Sequence, residues 1–177
     1  MTNDELKELN RNRRIYQIAF LVYDVEKSMQ KWVDLMQVGP WLVVEMNEKN
    51  CKNVIENGKP STEPFKFYSA CAMMGDIQIE LIQPVYGVAI YDEYMKKHGE
   101  SLHHIKEYIP DDRIEEATKE YIAKGINVIR QGHFVEDIHI YLDTLGELGF
   151  QLELGNCPKV TLTEDMFYMY PREDKSS

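Results

Sequence analysis

The 177-residue chain is predicted to be an α+β protein: tandem βαβββ modules forming a curved mixed β-sheet half-barrel, with the helices on the outside. Three observations predict it. The order strand, helix, strand, strand, strand is met twice. Ile77-Gln78-Ile79-Glu80-Leu81 is echoed by Phe150-Gln151-Leu152-Glu153-Leu154. Gln17 and His104 each stand seven residues before an aspartate, Asp24 and Asp111, that opens a helix.

Residues 1–14 are polar and form a tail or a short helix. A single domain, residues 15–156, follows as module one (15–84), a linker (85–101) and module two (102–156), and residues 157–177 form a second tail. Branched and aromatic content marks 15–22 as the first strand. Asp24 caps a helix over 25–36, in which Met29, Trp32, Val33 and Met36 share one face. Gly39-Pro40 ends it, and 41–46 is a strand. Residues 47–64 are rich in Asn, Glu, Lys, Gly and Pro and read as a loop or loose hairpin end. Strands over 65–73 and 77–82 flank a turn at Gly75-Asp76.

The linker carries a short helix over 89–97, ended by Gly99. Module two opens with a strand over 102–109. Pro110-Asp111-Asp112 then starts a helix over 113–124, striped by Ile114, Ala117 and Tyr121 and closed by Gly125. Strands follow over 127–131, 137–142 and 150–154, the last after a turn at Gly146 to Gly149. In the second tail, Phe167 to Tyr170 is an apolar patch suited to packing, and a charged run ends the chain.

Composition narrows the function classes. A hydrophobic content of 44% supports one core that needs no staples. The formal charge of -10, with no basic run longer than Arg13-Arg14, argues against nucleic acid. No apolar stretch is long enough to span a bilayer. The polar N-terminus is not a secretory signal, and scattered Cys51, Cys71 and Cys157 form neither a zinc pair nor a disulfide framework. A cytoplasmic protein is expected.

Strand parity locates a candidate site. Gln17, Ala19, Gln78, Glu80, His104, Lys106, Gln151 and Glu153 share one face, while Ile18, Phe20, Ile79, Leu81, Ile105, Leu152 and Leu154 share the other. The apolar face belongs under the helices, which leaves the polar face concave. Within 102–109, His104, Lys106 and Tyr108 point one way and His103, Ile105, Glu107 and Ile109 the other. Gln17, Glu80, His104 and Glu153 hold equivalent places in the two modules. They make a mostly hard donor set suited to Zn, Ni, Co, Mn or Mg. The plainer alternative is two groove-wall carboxylates and a hydrogen-bonded core histidine. An inward Lys106 either pairs with a groove carboxylate or meets an anionic substrate group.

Residues 15–27, the stretch from Tyr94 to Ile105 ending Ser101-Leu102-His103-His104-Ile105, and Ile79-Glu80-Leu81-Ile82-Gln83-Pro84 together resemble the vicinal oxygen chelate superfamily, nearest its methylmalonyl-CoA epimerase branch. The resemblance implies metal ligands at Gln17, Glu80, His104 and Glu153, a set shared with animal-type glyoxalase I. It implies a divalent metal (Zn, Ni, Co or Mn) and proton abstraction alpha to a carbonyl through an enediolate, with Glu80 or Glu153 as catalytic base. Small-molecule acyl-thioester or oxo-acid substrates and a homodimer are expected, the latter meeting through the N-terminal tail and the Phe167 to Tyr170 patch. His139 and Tyr141 are candidate substrate contacts with Lys106, or else part of a hydrogen-bonded wall; His133 and Tyr108 are weaker candidates. Gln17 stands where extradiol dioxygenases carry histidine, which argues against that chemistry. Lys106 stands where the superfamily usually has a small or apolar residue. The alternatives are a glyoxalase-I-like lyase, although no cationic set for glutathione is evident, and a non-catalytic binding protein of the bleomycin-resistance kind.

Overall fold

The computed structural model describes residues 1–172. The charged end expected at 173–177 lies outside the described residues. Asn3–Asn10 form helix α1, capped by reciprocal Thr2 and Glu5 bonds, and none of its residues is buried. Module one runs β1 (Ile15–Leu21), α2 (Val25–Met36), β2 (Trp41–Asn47), β3 (Cys51–Glu56), β4 (Lys59–Pro60), β5 (Lys66–Met74) and β6 (Ile77–Tyr86). Helix α3 (Ala89–His98) leads into module two: β7 (Ser101–Tyr108), α4 (Ile114–Ala123), β8 (Val128–Phe134), β9 (Asp137–Leu142), a short α5 (Leu145–Leu148) and β10 (Gln151–Gly155). Strand β11 (Phe167–Tyr170) ends the described chain.

All the strands join one curled sheet in the order β11-β2-β5-β6-β1-β7-β10-β9-β8-β3-β4. The modules meet where β1 pairs antiparallel with β7, and each of those strands pairs parallel with the last long strand of its own module, β6 or β10. These four central strands carry the expected face. Gln17 lies opposite Gln78 and Lys106, Ala19 opposite Glu80 and His104, and Glu153 opposite Lys106.

The convex face is covered as the alternation requires. Val25 and Met29 of α2 pack over Ile79, Leu81, Val43 and Trp41. Ile114 of α4, with Ala117 and Tyr121 against it, packs over Leu142, Leu152 and Leu154. Asp24 caps α2 by accepting from the Lys27 backbone N–H at 3.0 Å.

Three features depart from the alternation pattern. Residues 51–60 are not a loop. They form a hairpin that crosses to module two and pairs with β8. Arg130 fixes it, pairing with Glu56 and covering the Phe65 ring. Second, Phe167–Tyr170 pairs with β2 and forms the edge of the chain's own sheet. Third, the β1–β7 ladder steps from Ala19–His104 to Phe20–Leu102, leaving His103 on a bulge. The bulge breaks the alternation and turns His103 toward His104 instead of away from it. The expectation of opposite faces is corrected at that residue.

Leu81 is fully buried between the sheet and α2. Leu81→Ala is expected to lower unfolding free energy by about 2–5 kcal/mol in a denaturant titration. Arg130→Met is expected to speed amide exchange first in residues 51–60, since it removes the clamp while the rest of the sheet stays paired.

Candidate functional site

The four expected donors converge. His104 is fully buried, and its Nε2 lies 2.9 Å from Glu153 Oε2, 3.4 Å from Glu80 Oε2 and 3.4 Å from Gln17 Oε1. Two donors held at right angles on one ion at about 2.1 Å stand about 3 Å apart. The separations from His104 therefore suit ligands of a common centre. Among the described residues, no group of three His, Cys, Asp or Glu side chains is placed to hold a metal ion as it stands. The donors are closed onto His104, with Gln17 as one of the four.

Each donor has its own support. Glu80 Oε1 accepts from Ser69 Oγ at 2.5 Å. Gln17 Nε2 donates to Gln78 Oε1 at 2.6 Å, which leaves Gln17 Oε1 facing His104. Glu153 is bound through both oxygens: Oε2 faces His104, and Oε1 lies 3.0 Å from Lys106 Nζ. Lys106 is 4% exposed and also reaches Asp137 Oδ1 and Oδ2 at 2.8 and 2.9 Å. Of the two readings of Lys106, the geometry shows pairing with carboxylates. Gly155 makes room for its stem, since a Cβ there would sit 2.2 Å from Lys106 Cε.

The charges are strongly coupled. Burial alone would keep His104 neutral, but Glu153 and Glu80 beside it push its pKa up to about 9. Burial would raise the Glu153 carboxyl, yet Lys106 and His104 hold it well below the usual carboxylate range. Burial opposes charge on Lys106, and Glu153 and Asp137 outweigh it, so the ammonium is retained. Three carboxylates, Glu80, Glu153 and Asp137, thus face two cations, Lys106 and protonated His104. Exchanging the His104 proton for a divalent ion would bring the cluster to neutrality. Donor type and charge suit such an ion, and holding one would require the donors to move apart from His104.

A cavity of about 430 Å³ opens over this floor, lined by Gln17, Glu80, Lys106 and Asp137. Its walls include Leu42, Val44, Met46, Phe134, Val160 and Leu162. A smaller chamber of about 60 Å³ lies beside it and is lined by Glu153, His139, Tyr141, Tyr91 and Arg130 among others. Glu80 lines both spaces, and Glu153 lines only the smaller. Tyr141 and Tyr91 join hydroxyls at 2.9 Å. Burial raises both phenols far above their ordinary range, so both keep their protons. Tyr108 is 40% exposed, and neither it nor His133 lines either space.

Sequence reasoning missed Asp137, Ser69, His103 and the 157–162 segment of the cavity wall. Asp137 carried a usable signal, because it shares strand parity with His139 and Tyr141. The others depend on pairings with no local signature.

Two βαβββ modules joined edge to edge in one curled sheet are the architecture of vicinal oxygen chelate proteins. The chain belongs to the Glyoxalase/Bleomycin resistance protein/Dioxygenase superfamily, whose family model matches residues 16–142. Its fold is similar to that of a hypothetical protein from Bacillus halodurans C-125 (TM-score 0.63, 17% identity, covering 86% of this chain and 99% of that one). It is also similar to a Streptomyces coelicolor methylmalonyl-CoA epimerase variant in complex with 2-nitronate-propionyl-CoA (TM-score 0.62, 18% identity, 85% and 98% covered). A third similar structure is the Mycobacterium tuberculosis methylmalonyl-CoA epimerase (TM-score 0.57, 13% identity, 80% and 85% covered). No curated relative matches the chain. Among the described residues, no helix is long and apolar enough to cross a membrane.

Lys106→Met is expected to destabilise the metal-free protein by about 3–5 kcal/mol at neutral pH, because Glu153 would stay buried, and Asp137 half-buried, without their cation. Denaturant titration measures it. A pH effect is expected at His139, whose burial holds its pKa down to about 3. Below about pH 6.5 the unfolded chain takes up a proton that the folded chain refuses, so stability falls as pH drops. The slope is at most about 1.4 kcal/mol per pH unit, and His139→Gln should flatten it in thermal unfolding between pH 6.5 and 4.5.

Proposed function

We propose that the protein is a metal-dependent isomerase or epimerase that removes a proton from the carbon next to a carbonyl. The observation that carries this reading is the asymmetry between two carboxylates at equivalent strand positions. Glu153 is fixed at both oxygens and does not line the larger cavity. Glu80 borders that cavity and is held by the Ser69 hydroxyl and the edge of His104. Sequence alone leaves the two interchangeable, whereas the surroundings give each a separate task.

Gln17, Glu80, His104 and Glu153 would hold a divalent ion of the Zn, Ni, Co or Mn kind. When bound, such an ion stabilises negative charge developing on a carbonyl oxygen. Glu80 takes the proton from the carbon, with Ser69 keeping the carboxylate aimed at the cavity, and isomerisation follows when the proton is returned at the neighbouring carbon or on the other face of the enediolate. Glu153 stays put as an anchor. Lys106 holds that anchor in place and keeps it anionic. The apolar walls exclude water from the reacting carbon, which strengthens every charge interaction on the floor.

The substrate class is an acyl thioester or an oxo acid with a compact apolar part. Leu42, Met46, Phe134 and Val160 receive the apolar part. Exposed Lys159, on the same wall, offers a charge to an anionic tail. Crystal structures of methylmalonyl-CoA epimerases with methylmalonyl-CoA or a propionyl-CoA nitronate share this fold, which supports the thioester option without selecting it.

The test combines metal analysis with deuterium exchange at the alpha carbon of methylmalonyl-CoA and of CoA-free oxo acids. One bound divalent ion and exchange on at least one of these are expected. Glu80→Gln should slow exchange by about 10²–10⁴-fold with metal retained, while Glu153→Gln should lose the metal. A protein that takes no metal and exchanges nothing overturns the proposal. Turnover of a hemithioacetal without alpha-carbon exchange would move the assignment to a glyoxalase-type lyase.

A further inference from the structure

His103 is a fully buried histidine for which the proposed chemistry has no use. It owes its position to the β-bulge, which sets two consecutive imidazoles on one side of the sheet. The rings are nearly perpendicular, and their Nδ1 atoms lie 2.9 Å apart. Only one proton fits between two nitrogens, so one ring donates and the other accepts. Tyr91 and Tyr94 of α3, and Tyr141 of β9, meet the His103 ring edge to face at 5.1, 4.9 and 6.0 Å. These contacts fix the ring plane. His103 Nε2 is the one buried side-chain polar atom among the described residues that lacks a hydrogen-bond partner. The Ile90 backbone carbonyl lies toward this ring without a hydrogen bond of ordinary geometry, and it favours a proton on the side away from His104.

We propose that His103 is the positioning residue for His104, accepting at its own Nδ1 the proton that His104 carries on Nδ1. This leaves His104 Nε2 directed at Gln17, Glu80 and Glu153. The inference rests on the metal-centred reading for its consequence, but the arrangement itself exists without an ion. A ligating imidazole donates its other N–H to a neighbouring acceptor, usually a carboxylate or a carbonyl, and that bond sets both ring angle and tautomer. Here a second imidazole supplies the acceptor. A neutral acceptor leaves Nε2 less electron-rich than a carboxylate partner would, which suits a cluster already crowded with anionic oxygens. His103 thereby takes the proton on its Nε2, the orphan atom, where the ring faces the aromatic side chains of α3. The linker helix, through Tyr91 and Tyr94, holds a metal ligand it never touches.

Two measurements on the full chain test this. In the metal-free protein, ¹⁵N–¹H correlation of the imidazoles should show His103 as the Nε2–H tautomer, with Nδ1 unprotonated. A proton on His103 Nδ1 overturns the inference, whatever the protein does with metals. Calorimetric titration with Zn²⁺ should then show His103→Phe, which fills the volume without an acceptor, binding about 10- to 100-fold more weakly than the parent chain. His103→Asn places its side-chain oxygen near the lost Nδ1 and should recover most of the affinity. If the Phe variant folds and binds Zn²⁺ as tightly as the parent, the positioning role is wrong. A parent chain that binds no divalent ion overturns the proposed function instead, and the tautomer experiment still decides the case of His103.

Discussion

Buried carboxylates must be met by cations, and this constraint shapes the concave face. Glu153 is almost fully buried and would be neutral if left alone. Lys106 prevents that by reaching Glu153 and Asp137 together, two residues that come from different strands, β10 and β9. The pairing needs a straight path for the lysine stem, and only a residue without a side chain at Gly155 leaves one. A charge requirement at the floor thus reaches into the backbone composition of a neighbouring strand. The same requirement explains why Lys106 departs from the small or apolar residue usual in the superfamily. It serves as an internal counter-ion whose loss would leave one buried and one half-buried anion.

The enclosure of the site follows from elements that carry no chemistry. One end of the concave side is filled by apolar and aromatic side chains, with Val88, Tyr91 and Tyr94 from the linker helix region packed on Leu21, Phe65, Phe67 and Ile82. Across the other side runs the segment after β10, whose Val160 and Leu162 complete the cavity wall before β11 joins β2. The Glu136 carboxylate accepts from the Thr161 backbone N–H at 3.0 Å and tethers this segment. Substrate access and water exclusion therefore depend on parts of the chain outside the duplicated repeat.

Much of this was legible in the residues. Hydrophobic periodicity marks both long helices and the central strands, and parity along β1, β6, β7 and β10 puts Gln17, Glu80, His104 and Glu153 on one face. Parity works there because the outward residues Ile18, Phe20, Ile79, Leu81, Ile105, Leu152 and Leu154 are apolar. It failed at His103, where one extra residue in the ladder reverses the direction of a side chain and leaves no mark in composition. For residues 51–60 composition left a loop and a loose hairpin end both open, because polar, Gly-containing hairpins and solvent loops share a vocabulary. The pairing partner that makes this one a strand, β8, lies some seventy residues away. Lys106 was legible as inward and ambiguous in purpose, and the tie was broken by Asp137, a residue two positions before a stretch already under suspicion.

The crossing of the β3–β4 hairpin has a wider consequence. Strand β2 sits near one end of the sheet and β3 near the other, yet only residues 48–50 connect them. So short a bridge draws the two ends together and holds the curl shut like a buckle. Each repeat therefore lacks something the other supplies: the second half borrows its outermost strand from the first, and the first cannot place that strand without the second to receive it. Whatever the ancestral single unit looked like, the present chain has made its halves mutually indispensable, so they stand or fall in one cooperative step.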